Sequence, residues 1–228
     1  MTDSRGVLVE PLACAIHAVL RARPDAGATV LVVGAGTLGG LTMLALREFT
    51  QAGRVTVVAK HPRQREMATG FGATDVVEPG NAFTALRRSS HALRLTPERG
   101  SPFLMGGVDV AIDCVGSRRS LDLALRTTRA GGRVVLAGLP VAGADLTPVW
   151  FRELELVGAY TSGVEASLNG GGAPRHTFDL AIDLAADAPL EGMVGATYGL
   201  SQWRRAIDHA LDAGRLGTLK VAFDPRGE

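Results

Sequence analysis

The sequence predicts an α/β fold, a doubly wound parallel sheet with a C-terminal α+β extension, and three observations carry that expectation. Val30 to Val33 is a short, uninterrupted apolar run of valine and leucine, the pattern of a strand buried on both faces. It opens directly into a helical pattern, in which Leu38, Leu41, Met43, Leu44 and Leu46 recur up to Phe49. Further strands and helices then alternate to about residue 160, the chain order of a parallel sheet covered on both sides.

With 228 residues, 46% of them hydrophobic, the chain can bury a sizeable core as one large or two small domains. Twenty-four basic and 23 acidic residues leave a formal charge of +1, so no overall field points to nucleic acid. Arg87-Arg88 and Arg204-Arg205 read as solvated helix faces. The two cysteines, Cys14 and Cys114, fit neither a disulfide framework nor a metal-binding spacing, which leads us to expect a reduced, cytoplasmic setting. Met1 to Gly6 lacks the charged and apolar regions of a signal peptide, and no apolar run approaches the ~18 residues of a membrane span. Neither a membrane nor a nucleic acid is an expected partner.

Between the first strand and its helix stand Gly34, Gly36 and Gly39, spaced G-x-G-x-x-G. Twenty-nine glycines in 228 residues would give this spacing about 0.45 times by chance, so the spacing alone decides nothing. Its position does. At a strand-to-helix turn the first glycine permits the tight turn, the second leaves the backbone open to a pyrophosphate, and the third lets helix and strand pack closely. The N–H groups that start the helix then face the phosphates, so a dinucleotide is the expected ligand.

The remaining elements follow in order. Ahead of the glycine turn, Glu10 and Pro11 fit the first turn of an apolar helix running through Leu20, with His17 as a partly buried helix residue. Arg54 to Ala59 is a second strand, Met67 to Phe71 completes a helix, and Asp75 to Val77 is a short third strand. Ala82 to Leu95 reads as helical, and Thr96 to Gly107, with two prolines and three glycines, as a surface loop. Val108 to Gly116 gives a fourth strand, Arg118 to Arg129 a helix, Gly131 to Pro140 a fifth strand and Leu154 to Tyr160 a sixth.

From Gly163 the texture changes, and the expected division is residues 1–162 as the dinucleotide-binding domain and 163–228 as a C-terminal segment. Asn169 to Pro174 reads as a flexible break. Beyond it we expect a helix over Thr177 to Ala186, a strand over Val194 to Tyr198, a helix over Ser201 to Ala213 and a final strand over Leu219 to Phe223.

The second strand ends in an informative way. In the dinucleotide fingerprint an acid at this point holds the ribose 2′-hydroxyl and would repel a 2′-phosphate. Ala59 occupies the acid's place, followed by Lys60, His61, Arg63 and Arg65. One or two charge-assisted bonds of about 1.5–3 kcal/mol each would favour NADP(H) over NAD(H). The alternative is a solvated basic turn.

Together these pieces resemble the nucleotide-binding half of the zinc-type medium-chain dehydrogenases, the alcohol, sorbitol and threonine dehydrogenase group. The resemblance spans nearly the whole chain and rests on Glu10-Pro11-Leu12 with His17-Ala18, Val32 to Gly39, Ala68 with Gly72-Ala73, Asp109 to Gly116, Gly131 to Gly138, and Lys220 to Phe223. It implies a Rossmann fold with Gly34, Ala35, Gly36, Thr37, Leu38 and Gly39 at the pyrophosphate. Ala59, Lys60, His61 and Arg65 would face the adenosine ribose and its phosphate. Cys114, Val115 and Gly116, with Ala137, Gly138 and Leu139, would line the nicotinamide side. Lys220 would lie near the pyrophosphate, and residues from about 163 would return to the catalytic domain.

That family's N-terminal barrel-like domain, which supplies most of the catalytic-zinc ligands and the proton relay, has no counterpart in this sequence. By resemblance Glu10 falls at a zinc-ligand position as a remnant, since catalytic zinc takes about three protein ligands and no companions are evident. Cys14 would lie by the nicotinamide pocket. No catalytic residue is assigned, and zinc is expected only if the missing domain is supplied, for example by a separate polypeptide. Family members also commonly dimerise through the last Rossmann strand, here Leu154 to Tyr160, so a homodimer is expected.

The implied function is the NADP(H)-binding part of an alcohol or polyol dehydrogenase, inactive without the zinc domain; the alternative is a stand-alone, non-catalytic NADP(H)-binding or sensor module. A short-chain dehydrogenase would need Tyr-x-x-x-Lys, but Tyr160 and Tyr198 have Val164 and Gln202 at that spacing. A methyltransferase would want an acid where Ala59 stands.

Overall fold

In the computed structural model, which describes residues 1–140, 142–166 and 173–226, the chain builds a six-stranded parallel sheet with helices on both faces. A short helix α1 (Asp3–Gly6) leads into α2 (Val9–Ala22), with Glu10 and Pro11 in its first turn and Arg23 closing it in the left-handed region at φ 45°. Then come β1 (Thr29–Val33), α3 (Thr37–Phe49), β2 (Arg54–Val58), α4 (Pro62–Gly70) and β3 (Asp75–Val77). After α5 (Ala82–Ser89) the hairpin strands β4 (Leu93–Leu95) and β5 (Phe103–Met105) precede β6 (Val108–Asp113), α6 (Arg118–Thr127), β7 (Thr128–Leu136), α7 (Thr147–Phe151) and β8 (Glu155–Gly158). The C-terminal part holds β9 (Val164–Glu165), β10 (Arg175–His176), α8 (Thr177–Asp187), β11 (Val194–Gly199), a 3₁₀ turn at Leu200–Gln202, α9 (Trp203–Leu211) and β12 (Lys220–Asp224).

The sheet order is β3-β2-β1-β6-β7-β8, every pair parallel. Alternation along β1 shows why its run is continuously apolar. Val30 and Val32 face the core under α2, α3 and α8, while Leu31 and Val33 face the core under α5 and α6. Both faces are buried, so both residue sets must be apolar. The C-terminal segment contributes to the first of these cores through Ala181, Ala185, Leu190, Met193 and Leu219.

Two expectations are corrected. The helix expected over Ala82 to Leu95 ends at Ser89, where the Ser89 and Ser90 hydroxyls both donate to the Leu86 carbonyl and compete with continued helix. His91 then takes a left-handed backbone at φ 52°. Leu93 to Leu95 instead pairs antiparallel with Phe103 to Met105, so the expected loop over Thr96 to Gly107 contains a strand whose Leu104 is fully buried. A three-residue strand such as Leu93-Arg94-Leu95 is too short for its alternation to be told from helical spacing until the pairing partner is known.

Smaller boundaries move too. The helix that Met67 to Phe71 completes begins at Pro62, so Arg63 and Arg65 of the basic stretch are helical. Helix α6 stops at Thr127, the following strand begins earlier than Gly131, and the helix expected from Ser201 starts as a 3₁₀ turn. The break read over Asn169 to Pro174 falls, apart from Ala173 and Pro174, outside the described residues.

Candidate functional site

Strand β1 is where the sheet order reverses, since β2 and β3 lie to one side of it and β6, β7 and β8 to the other. In open parallel sheets the crevice beyond the carboxyl ends of the strands at such a switch point is where ligands bind. Three turns meet there, one each after β1, β6 and β7.

The turn after β1 gives each glycine a separate geometric reason. Gly34 has φ 95°, and a side chain there would run into the Val115 side chain. A methyl at Gly39 would overlap the Gly34 carbonyl, lying 2.8 Å from its carbon and closer to its oxygen. Gly36 differs, because a methyl there would meet nothing within 4 Å. Its φ of −74° is open to any residue, so only the empty space beside it accounts for glycine. Gly36 is the N-cap of α3 and no side chain caps that helix. The Thr37 hydroxyl donates away from the helix, to the Leu219 carbonyl at 2.7 Å. The first-turn N–H groups of α3 thus stay available to an anion. An open glycine beside uncapped N–H groups fits a pyrophosphate.

The other two turns interlock. A methyl on Gly116, at φ 78°, would overlap the Leu139 carbonyl, and one on Gly138 would come within 2.6 Å of the Gly116 nitrogen. The Asp113 carbonyl accepts from the Ala137 and Gly138 N–H groups at 3.0 and 2.7 Å. Its carboxylate accepts from the Val115 and Gly116 N–H groups at 2.9 and 3.1 Å, and from the Ser120 hydroxyl at 3.1 Å. Asp113 is fully buried, and that burial outweighs the three hydrogen bonds and raises its pKa above the usual carboxylate range. The sequence assigns Asp113 no role of its own, although the signal is present: an acid at the carboxyl end of a strand, directly after the apolar Val110-Ala111-Ile112. Cys114 is held by burial at a pKa of about 12, so its thiol stays protonated near the crevice.

On the β2 side, Ala59 is fully buried with no carboxylate in its place. The cations beyond it are not equivalent. Arg63 pairs with Glu66 at 2.8 Å, and Arg65 with Glu78 at 2.9 Å while also donating to the Lys60 carbonyl. Lys60 is exposed and makes no ion pair among the described residues. The His61 ring packs on Gly214, where an added methyl would lie 2.6 Å from its Nε2, a contact between distant parts of the chain that sequence could not reveal. Lys220 follows the Leu219 carbonyl that receives Thr37, and its own N–H donates to Met193.

Glu10 is exposed in the first turn of α2, and the Cys14 thiol donates to it at 3.3 Å. Burial, helped by that hydrogen bond, raises the Cys14 thiol to about 11. His17 Nδ1 lies 2.6 Å from Glu165 Oε1, although not in the alignment of a hydrogen bond. Among the described residues no group of three or more His, Cys, Asp or Glu side chains could hold a metal ion, so these residues do not by themselves fit a zinc site. Among the same residues no helix is long and apolar enough to cross a membrane.

Parallel order, switch point and glycine turn define a Rossmann-type dinucleotide-binding fold. Residues 37–187 match the family model described as zinc-binding dehydrogenase, and the chain belongs to that family of oxidoreductases. It is 29% identical over 223 residues to L-idonate 5-dehydrogenase of Vitis vinifera and 27% identical over 225 residues to sorbitol dehydrogenase of Arabidopsis thaliana. Each match covers 96% of this chain and 56% of the relative, so the chain spans little more than half the length of these relatives. Among solved structures, a Sinorhizobium meliloti 1021 protein described as a zinc-binding dehydrogenase and bound to NADP superposes with a TM-score of 0.72 at 29% identity, covering 97% of this chain and 59% of that one.

Proposed function

We propose that this chain is the NADP(H)-binding part of a zinc-type alcohol or polyol dehydrogenase. The observation that carries the reading is Gly36, the one glycine of the motif with open space beside it, next to the uncapped start of α3. When bound, NADP⁺ would accept a hydride from an alcohol carbon. The names of the two plant relatives, an idonate and a sorbitol dehydrogenase, support a polyol or sugar acid as the substrate class.

In this reading Gly34 to Gly39 hold the pyrophosphate and the turns after β6 and β7 the nicotinamide side. Ala59, Lys60, His61 and Arg65 take the adenosine ribose, with Lys60 the cation left free for a 2′-phosphate. Residues 1–162 form the dinucleotide domain and 163–228 the segment that returns to the catalytic domain. Zinc enters only with the part of the relatives' length outside the match, on the same or a second polypeptide, with Glu10 as a remnant ligand. The protein works in the cytoplasm as a homodimer paired through β8, and a monomer at micromolar concentration by size exclusion with light scattering would remove the dimer.

Calorimetric titration with NADPH and, separately, NADH tests the reading. NADPH should bind more tightly, and Ala59→Asp should shift preference toward NADH by about tenfold. Binding of neither nucleotide would sink the proposal. Binding without alcohol oxidation when zinc and the family's catalytic domain are supplied would leave a stand-alone, non-catalytic NADP(H) module.

A further inference from the structure

The nicotinamide-side turns contain a buried acid that neither the glycine motif nor the cofactor assignment explains. Asp113 is fully buried at the carboxyl end of β6, next to the central strand, and faces no cation at ion-pair distance among the described residues. A lone buried carboxylate is costly, so its retention calls for a task that an apolar residue could not perform. Its contacts name the task. One carboxylate oxygen accepts from both the Val115 and Gly116 N–H groups, and the other from the Ser120 hydroxyl. Those two N–H groups belong to the turn whose Val115 side chain abuts Gly34 and whose Gly116 abuts Leu139.

From this geometry we infer that Asp113 is a positioning residue for the nicotinamide half of the cofactor: its carboxylate fixes the Cys114–Gly116 turn against the turns after β1 and β7. The inference rests on the dinucleotide reading above. The main chain of Asp113 holds the Ala137–Gly138 turn separately, through its carbonyl, and that tie survives any substitution of the side chain. Removing the carboxylate therefore releases one turn while leaving the sheet joined. The adenosine side lies across β1, beyond β2, and shares none of these hydrogen bonds.

The test compares a whole dinucleotide with its adenylate half. Calorimetry on the full chain measures NADPH and 2′,5′-ADP, with NADH and 5′-ADP used if NADH is the tighter ligand. Fluorescence of the bound dihydronicotinamide reports the environment of the ring. Asp113→Ala should weaken NADPH about tenfold, change 2′,5′-ADP by less than about twofold, and move the bound emission toward that of free NADPH. Asp113→Asn keeps an acceptor for the two N–H groups and should restore most of the loss.

Should Asp113→Ala not fold by circular dichroism, Ser120→Ala, which removes one hydroxyl from the carboxylate, should weaken NADPH about threefold and leave 2′,5′-ADP unchanged. Equal weakening of both ligands would make Asp113 merely structural and overturn the inference, as would no weakening of either. If the unaltered chain binds neither ligand, the dinucleotide reading fails first and this inference falls with it.

Discussion

Helices α3 and α6 both start at the carboxyl edge of the same sheet, and they treat their first-turn N–H groups in opposite ways. Helix α6 caps one of its own: the Ser117 hydroxyl oxygen accepts from the Ser120 N–H at 3.1 Å, and the turn before it is tied to the Asp113 carboxylate. Helix α3 has glycine as its N-cap, no side-chain cap, and a first-turn threonine whose hydroxyl is committed to Leu219. Every α-helix starts with N–H groups that lack an internal partner. A helix that caps itself has no call on an anion; one left uncapped beside an open glycine does. In the proposed function this difference separates a turn that shapes the crevice from one that would meet the ligand.

The comparison can be broken or sharpened by substitution. The largest effect is expected at Gly39, whose added methyl would overlap the Gly34 carbonyl. Gly39→Ala should lower stability by about 2 kcal/mol and abolish dinucleotide binding, read by urea denaturation and calorimetry. Gly36→Ala should separate the two properties. With nothing within 4 Å of the new methyl, stability should change by no more than about 1 kcal/mol, while NADPH affinity falls at least ~tenfold. Unchanged affinity in that variant would break the comparison.

Ser117→Ala should do the reverse at α6, costing about 1 kcal/mol of stability with little change in affinity. A large loss of affinity from this change would mean that α6 also receives the ligand.

The smallest expected effect is a pH dependence at Asp113. Burial raises its folded pKa above the unfolded value of about 4, so its favourable contribution is complete below that value and is lost as pH rises through the folded one. Asp113→Asn should therefore gain stability relative to the natural chain as pH goes from about 4 to 7, in urea midpoints measured at each pH. A constant difference across that range would show that the hydrogen bonds, not burial, govern the acid.

Much of this was legible in the chain itself, because local patterns report local physics. Val30 to Val33 had to be a doubly buried strand, since no polar face was available for solvent. Gly34 and Gly39 could be read because each answers a backbone requirement, a positive φ or a close approach within a few residues, and Gly36 because its spacing completes the motif. The Ala59 position was readable as well, as an acid that is not there. By contrast, the stretch from Ala82 to Gly107 misled, because the hairpin of β4 and β5 is stabilised by pairing across a loop, and neither strand carries enough local pattern to announce it.

The sequence by itself determined the order of the six parallel strands and the helices between them, the turn that would face a phosphate and the chemistry of the side chains around it. Tertiary structure alone decided which of those side chains remain free to act. It paired Arg63 and Arg65 with glutamates and left Lys60 exposed, seated His61 on Gly214, tied Thr37 to Leu219, and buried Asp113 where three donors converge. The physical reason is range: backbone conformation and burial periodicity are set by neighbours in the chain, whereas the partner of a charge or hydroxyl is set by whichever distant segment packs beside it.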